Sequence, residues 1–351
     1  LYISTRPMIN YILYLIAGII LLIAGGNYLT DGAVAVARRF NVSSLMIGLT
    51  VVALGSAMPD IAVCVESALE HKTAIAVGDI VGANIFDLLL VIGVMAVCRP
   101  WKINGVMAKS DLPIMVLAMA SLWIVGDSVI FDGAKTNIIN RSAGMMLIIV
   151  FIFYMWLTIQ GAKGEVTPMA ANAPSPQPDR THTVASSHTA TADQKGKSTA
   201  LRPWLSWVMI IGGLGALVVG GDWVVDGASG IALKAGMSQG MVALTVVAIG
   251  NSLPDLVTSL TATFKGQPGL ALGNIVGACI IDALLAIGIS SAITPLAAGT
   301  VGFFDFITLV GAAILVWILP KLSRRHMMER WAGVLLIALY VAYMTLIIVR
   351  G

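Results

Sequence analysis

Two short stretches place a carboxylate directly after a proline in otherwise apolar sequence: Gly55-Ser56-Ala57-Met58-Pro59-Asp60 and Gly250-Asn251-Ser252-Leu253-Pro254-Asp255. A proline within a helix has no N–H to give the carbonyl four residues earlier, so Pro59 and Pro254 release the carbonyls of Gly55 and Gly250. In hydrocarbon a freed carbonyl is tolerated only where it lines a cavity or meets another partner. Beside it stand hydroxyl and amide side chains (Ser56, Asn251, Ser252), and the carboxylates of Asp60 and Asp255 follow at once. Carbonyl, hydroxyl and carboxylate oxygens are the ligands a hard cation such as calcium takes. A proline kink with a locally satisfied aspartate accounts for one such stretch; two matching copies point to an ion site.

A second pair of stretches reads Gly78-Asp79-Ile80-Val81-Gly82 and Gly273-Asn274-Ile275-Val276-Gly277. Glycines four apart let helices approach closely, which predicts that Asp79 and Asn274 are carried toward the proline breaks. A carboxylate at the centre of a membrane helix costs about 2.5–3.5 kcal/mol. Asp60, Asp79, Asp255, Asp87 and Asp282 all fall in apolar runs, while Lys and Arg lie nearly all in loops or at span ends. The balancing charge is then a bound cation, a proton, or both. Asp87 and Asp282 come eight residues after Asp79 and Asn274, about 80° round a helix, which assigns them a supporting or proton-carrying role. Glu66 has no acidic counterpart and reads as a residue of the mouth, and Asp31 and Asp226 as residues near the membrane boundary.

The elements that must position these residues are membrane spans. The chain of 351 residues is 58% hydrophobic and 11% charged, against about 25% charged in a soluble domain. Apolar runs long enough to cross a bilayer recur roughly over 9–34, 42–69, 73–97, 111–126, 142–161, 204–227, 237–264, 268–293, 303–320 and 329–349. Residues 162–202, rich in Pro, Ser, Thr and Ala, lack any apolar period and read as a disordered linker. The predicted divisions are therefore 1–161, 162–202 and 203–351. Arg38, Arg39, Arg99, Lys102, Lys265 and Lys321 are among the majority of basic residues that share the linker's side, which predicts a cytoplasmic linker with both termini outside. The net charge of +3 is small, and no nucleic-acid partner is expected; the partners are the bilayer and small inorganic cations. Cys64, Cys98 and Cys279 sit in apolar sequence at no metal-ligand spacing and read as buried reduced thiols.

Sliding the chain on itself by 195 residues lays Thr50–Gly93 over Thr245–Gly288 without a gap, matching Pro59-Asp60 to Pro254-Asp255 and Asp87 to Asp282. Five spans per unit is an odd number, so the second unit enters the membrane from the opposite side. The expected fold is an all-α membrane protein of ten transmembrane helices in two inverted five-helix repeats, with broken helices meeting near the midplane.

At these residues the chain resembles the cation/calcium antiporter superfamily, especially its bacterial sodium/calcium exchangers, whose repeats carry Gly-Thr-Ser-x-Pro-Glu and Gly-Asn/Asp-x-x-Gly-Ser-Asn stretches. The resemblance implies a multi-pass inner-membrane protein that exchanges calcium for sodium by alternating access, the first and sixth spans sliding across the rest. It implies Asp60 and Asp255 as calcium ligands, Asp79 and Asn274 in the acid/amide positions, and Thr50 and Thr245 near backbone-carbonyl ligands. It implies no enzymatic reaction and no cofactor beyond the transported ions. This chain departs from the pattern in having Asp for both glutamates, Ile75 and Leu270 where sodium-binding serines are common, Ala83, Ala278 and Cys279 in the Ser-Asn positions, and Asp at 87 and 282. The departures predict a weaker sodium dependence than serines would give. The alternatives are a proton-coupled divalent-cation antiporter, an intramembrane aspartyl protease and a cation channel. A protease needs two aspartates sharing one proton, typically within Gly-x-Gly-Asp, which is absent; a channel fits inverted broken halves less well than alternating access.

The composition of the linker makes a direct expectation. Replacing residues 165–195 by a short flexible segment leaves cation flux in sealed vesicles within a few fold of the parent; loss of flux in a normally inserted protein contradicts it.

Overall fold

The computed structural model describes residues 7–40, 42–103, 105–131, 133, 136–164, 203–235, 250, 252–299, 301–323 and 327–350. Eleven helices carry the architecture: α1 (Met8–Phe40), α2 (Ser44–Ser56), α3 (Met58–Leu69), α4 (Thr73–Cys98), α5 (Asp111–Gly126), α6 (Arg141–Gly164), α7 (Pro203–Lys234), α8 (Leu253–Phe264), α9 (Pro268–Ile293), α10 (Phe303–Leu322) and α11 (Arg330–Arg350). Eight of them are long and apolar enough to span a membrane alone, and α2 with α3 forms a ninth, bent span. The expected span 237–264 begins outside the described residues, and only its second part, α8, is seen. Residues 165–202 also lie outside them; α6 runs to Gly164, past the predicted end at 161. Cys98 is exposed, against expectation, while Cys64 and Cys279 are buried.

Burial sorts the helices. The most apolar window of α9 is 94% buried and that of α4 is 72%, against 17% for α6 and 22% for α1 and α11. The two helices bearing Asp79 and Asn274 thus form the centre, and the others turn large apolar side chains such as Ile149, Ile211 and Val334 outward, as a lipid-facing surface requires.

Helix α1 and its repeat-mate α7 run antiparallel along each other for most of their length. Their 33 and 32 residues reach about 50 Å, more than the ~30 Å of hydrocarbon. Small residues at heptad spacing make the seam: a Cβ at Gly18 would stand 2.7 Å from the Gly220 carbonyl, one at Gly25 2.8 Å from Gly213, and one at Gly32 2.9 Å from Ser206. Only glycine allows that backbone-to-backbone approach.

The α1–α7 pair does not sit symmetrically on the rest. Helix α1 lies along α8, and Lys265, just past the end of α8, reaches Asp31 Oδ1 at 2.7 Å and the Asn27 carbonyl at 3.0 Å. The repeat-mate contact, α7 with α3, is almost absent. Two antiparallel ribbons also tie half to half: β1 (Trp101–Lys102) pairs with β4 (Met327–Met328), and β2 (Ile138–Ile139) with β3 (Leu296–Ala297). They are the one non-helical addition to the expected all-α fold among the described residues.

Helix α9 meets α2 through its glycines. A Cβ at Gly277 would lie 2.5 Å from Ala53 Cβ and 2.7 Å from the Leu49 carbonyl, and one at Gly48 2.6 Å from the Leu270 carbonyl. Gly277→Val therefore lowers the melting temperature in detergent, by the equivalent of about 1–3 kcal/mol for overpacking. Gly311→Ala on α10, with no described atom within 4 Å of the added Cβ, leaves it unchanged or raised. Equal melting of the two variants contradicts the packing described.

Candidate cation site

The first broken span starts conventionally, with Ser43 Oγ accepting from the Met46 N–H at 3.2 Å. It then widens into a π turn over Gly48–Val52, where the Ala53 N–H bonds to the carbonyls of Gly48 and Thr50. The Thr50 hydroxyl turns back onto the Met46 carbonyl at 2.8 Å. At Ala57 (φ −77°, ψ −7°) the helix stops, and α3 leaves at an angle of 42° with Pro59 in its first turn. A proline there costs no hydrogen bond that the helix would have made. Asp60 lies in that same first turn, where the positive end of the helix dipole favours a carboxylate. The second half repeats the arrangement: Ser252 precedes α8, Pro254 occupies its first turn, and Asp255 follows. Gly55 and Gly250 both lie against α7, where Leu214 and Val225 leave no room for a Cβ.

The two halves meet through side chains. Ser56 Oγ on α2 donates to Asn274 Oδ1 on α9 at 3.0 Å. Asn274 Nδ2 donates to Asp255 Oδ1 at 2.9 Å and reaches Ser259 Oγ at 3.4 Å. Asn274 is wholly buried, and Ser56, Asp60 and Asp255 are all below 7% exposed. Asp60 lies within electrostatic reach of Asp79 and Asp255, and with the Asn274–Asp255 bond this brings the proline breaks and the glycine-flanked stretches together.

Asp87 and Asp282 belong to the same cluster. Asp87 interacts electrostatically with Asp255 and Asp60, and Asp282 with Asp60, Asp255, Asp87 and Asp79. Each lies at the start of a π turn, Phe86–Val91 in α4 and Asp282–Ala286 in α9, at matching places in the two repeats. Such turns reset the phase of a helix and are frequent at functional sites. Asp87 Oδ1, Asp282 Oδ1 and Thr258 Oγ1 are buried without a hydrogen-bond partner among the described residues. Glu66 is exposed, as is Asp31, which pairs with Lys265.

Among the described residues no three His, Cys, Asp or Glu side chains are placed to hold a metal ion by themselves. A set that draws on hydroxyl, amide and backbone oxygens is the arrangement open to these residues. Thr245 and Asn251 lie outside the described residues. Of the positions that lack the expected serines, Ile75 is exposed and Leu270 is buried against α2. Sequence reasoning did not single out Thr258 and Ser259, which extend the polar face of α8. Their spacing of three and four residues after Asp255 was the available signal.

A bundle of apolar helices whose buried centre gathers carboxylates, an amide and hydroxyls from both halves, with broken helices ending there, is a multi-span membrane transport protein. The chain belongs to the sodium/calcium exchanger protein family, whose model matches residues 10–160 and 205–349. It is 30% identical over 281 residues to the inner membrane protein YrbG of Escherichia coli, covering 80% of this chain and 79% of that one. With the sodium/calcium exchanger MaX1 of Methanosarcina acetivorans it shares 25% identity over 361 residues, covering 97% and 98%. Among solved structures, the sodium-calcium exchanger NCX_Mj, soaked with zero Na+ and Ca2+, superposes with a TM-score of 0.77 at 26% identity, covering 97% of this chain and 100% of that one.

The hydrogen-bonded link across the halves is testable as a mutant cycle. Ser56→Ala and Asn274→Ala each weaken calcium binding to the purified protein, and the double variant loses less than the sum, with a coupling of about 0.5–3 kcal/mol. Strict additivity by calorimetry contradicts a shared site.

Proposed function

We propose that the chain is an antiporter that exchanges calcium for sodium across a cell membrane by alternating access. The observation that carries this reading is the buried link Ser56–Asn274–Asp255, which joins the two halves beside Asp60, Asp87 and Asp282, none of which forms an ion pair with a lysine or arginine among the described residues. Three carboxylates, Asp60, Asp79 and Asp255, exceed one divalent charge by one. That suits a site that accepts either one calcium or several sodium ions. Asn274, Ser56, Ser252 and, by the sequence repeat, Asn251 supply neutral oxygens, and the carbonyls of Gly55, Gly250, Thr50 and, by the same repeat, Thr245 complete the set. Calcium prefers six to eight such oxygens, more than the carboxylates alone provide.

Asp87 and Asp282 hold the field of the site or carry a counter-charge. With apolar Ile75 and Leu270 in place of hydroxyls, fewer sodium ions accompany each calcium than in an exchanger with serines there. The calcium and sodium are cargo, and the protein performs no chemical conversion on them. The excess of Lys and Arg on the linker's side supports a cytoplasmic segment 162–202 between the repeat units 1–161 and 203–351, with both termini outside. The close packing of α1 on α8, without its counterpart between α7 and α3, supports one of two symmetry-related positions of the α1–α7 pair, the other serving the opposite side.

In proteoliposomes with sodium, proton and calcium gradients imposed separately, a sodium gradient drives calcium uptake, and Asp60→Asn or Asp255→Asn abolishes it while insertion and purification remain normal. Near-normal flux in either variant removes the site. Uptake driven by a pH gradient and indifferent to sodium replaces sodium by protons on the same scaffold.

A further inference from the structure

A second site lies away from the carboxylates, at the ends of three spans. A cavity of 260 Å³ is lined by Arg99, Pro100, Trp101, Lys102, Thr263, Gly266 and Pro268. It sits where α4 ends, where α8 ends and where α9 begins, on the face that carries the excess of basic residues. No acidic residue lines it, and neither Arg99 nor Lys102 forms an ion pair among the described residues. Arg99 is held over the cavity by Nη1, which donates to the carbonyls of Thr263 and Phe264 at 3.2 and 3.1 Å. The α9 N-terminus has no side-chain cap; Pro268, its one lining residue, has no N–H, so α9 brings the positive end of its dipole to the cavity and no donor.

Trp101 makes the cavity more than a basic helix end. It is 4% exposed, and its indole N–H is buried with no hydrogen-bond partner among the described residues. An unsatisfied buried donor costs about 1–3 kcal/mol, a cost that an acceptor entering the cavity removes.

The internal repeat supplies a control. The same backbone is built on the opposite face: His71 takes a positive φ of 59° where Gly266 has 75°, and β3 stands where β1 stands. There, however, Arg99 is replaced by Thr294, Trp101 by Leu296 and Lys102 by Ala297. The fold therefore requires neither the two cations nor the indole N–H, and they occur on one membrane face only.

We propose that this cavity binds a phosphate group, the multi-oxygen anion met at a membrane boundary, carried either on an anionic lipid headgroup or free in solution. Arg99, Lys102 and Trp101 each bring a donor group to the lining, and none of the described lining residues carries an anionic side chain. The test uses the full chain in two arms. In the first, protein in mixed phosphatidylglycerol and phosphatidylcholine micelles is stripped, and retained phosphatidylglycerol is counted by native mass spectrometry. In the second, inorganic phosphate is titrated calorimetrically. Lys102 is exposed and makes no hydrogen bond to a described residue, so Lys102→Gln preserves the fold; Trp101→Phe keeps most of the buried volume, and melting temperatures check both. Binding in either arm that falls roughly five-fold with Lys102→Gln, and falls also with Trp101→Phe, supports the proposal and identifies the source. Absence of binding in both arms, or binding that is unchanged in both variants, overturns it.

Discussion

Burying several carboxylates in an apolar bundle, with no basic side chain paired to Asp60, Asp87, Asp255 or Asp282 among the described residues, governs the rest of this molecule. Like charges in a medium of low dielectric repel strongly, and each is disfavoured in its ionised form. Asp60, Asp87, Asp255 and Asp282 are nonetheless almost wholly enclosed. The protein offers them helix N-terminal turns at Asp60 and Asp255, one amide at Asn274, and hydroxyls from Ser56 and Ser259. These partners fix directions but supply no full positive charge. In the exchange proposed above, mobile cations complete such a centre, and a site that depends on its cargo for charge balance suits exchange better than static storage.

Holding that centre together takes backbone contact rather than side-chain bulk. Lipid tails are as apolar as leucine, so helices in a membrane gain little by burying leucine against leucine and gain more by close van der Waals approach. Gly273 and Gly277 bring α9 against α2, and this closeness lets Ser56 reach Asn274 across the boundary between the halves. The heptad of small residues between α1 and α7 serves a different end. It joins those two helices into one body, whose main attachments to the remainder run through α8 and the beginning of α2, with the Lys265–Asp31 ion pair at one edge. In the alternating access proposed above this pair is the element that moves, since packed interfaces change by discrete steps rather than by continuous deformation.

The internal repeat gives the two halves common backbone geometry, and the differences between them show where chemistry departs from architecture. Asp79 corresponds to Asn274, so the centre holds an acid on one side and an amide on the other. The basic cavity around Arg99 and Trp101 has no counterpart at Thr294 and Leu296. Such differences cannot be demanded by the fold, because the fold is satisfied without them on the other face.

Much of this was legible in the residues themselves. Apolar length determined the spans, because an unsatisfied backbone cannot lie in hydrocarbon, and the observed helix ends lie mostly within a few residues of those expected, with α1 and α7 running on further. Pro59 and Pro254 determined where helices break, since the missing N–H is a covalent fact. The repeat of Pro-Asp and Gly-x-x-x-Gly singled out the residues that converge. Tertiary structure alone decided how they converge: that Asn274 bridges Ser56 to Asp255, that Ser259 joins them, and that Asp87 and Asp282 enter the cluster on π turns. Eight residues of ideal helix place Asp87 about 80° from Asp79, and helical periodicity carries no sign of the extra residue that a π turn inserts. Nor could it place α1 on α8 rather than α7 on α3, because the two halves are near-equivalent in sequence and only the packing of the whole bundle distinguishes them.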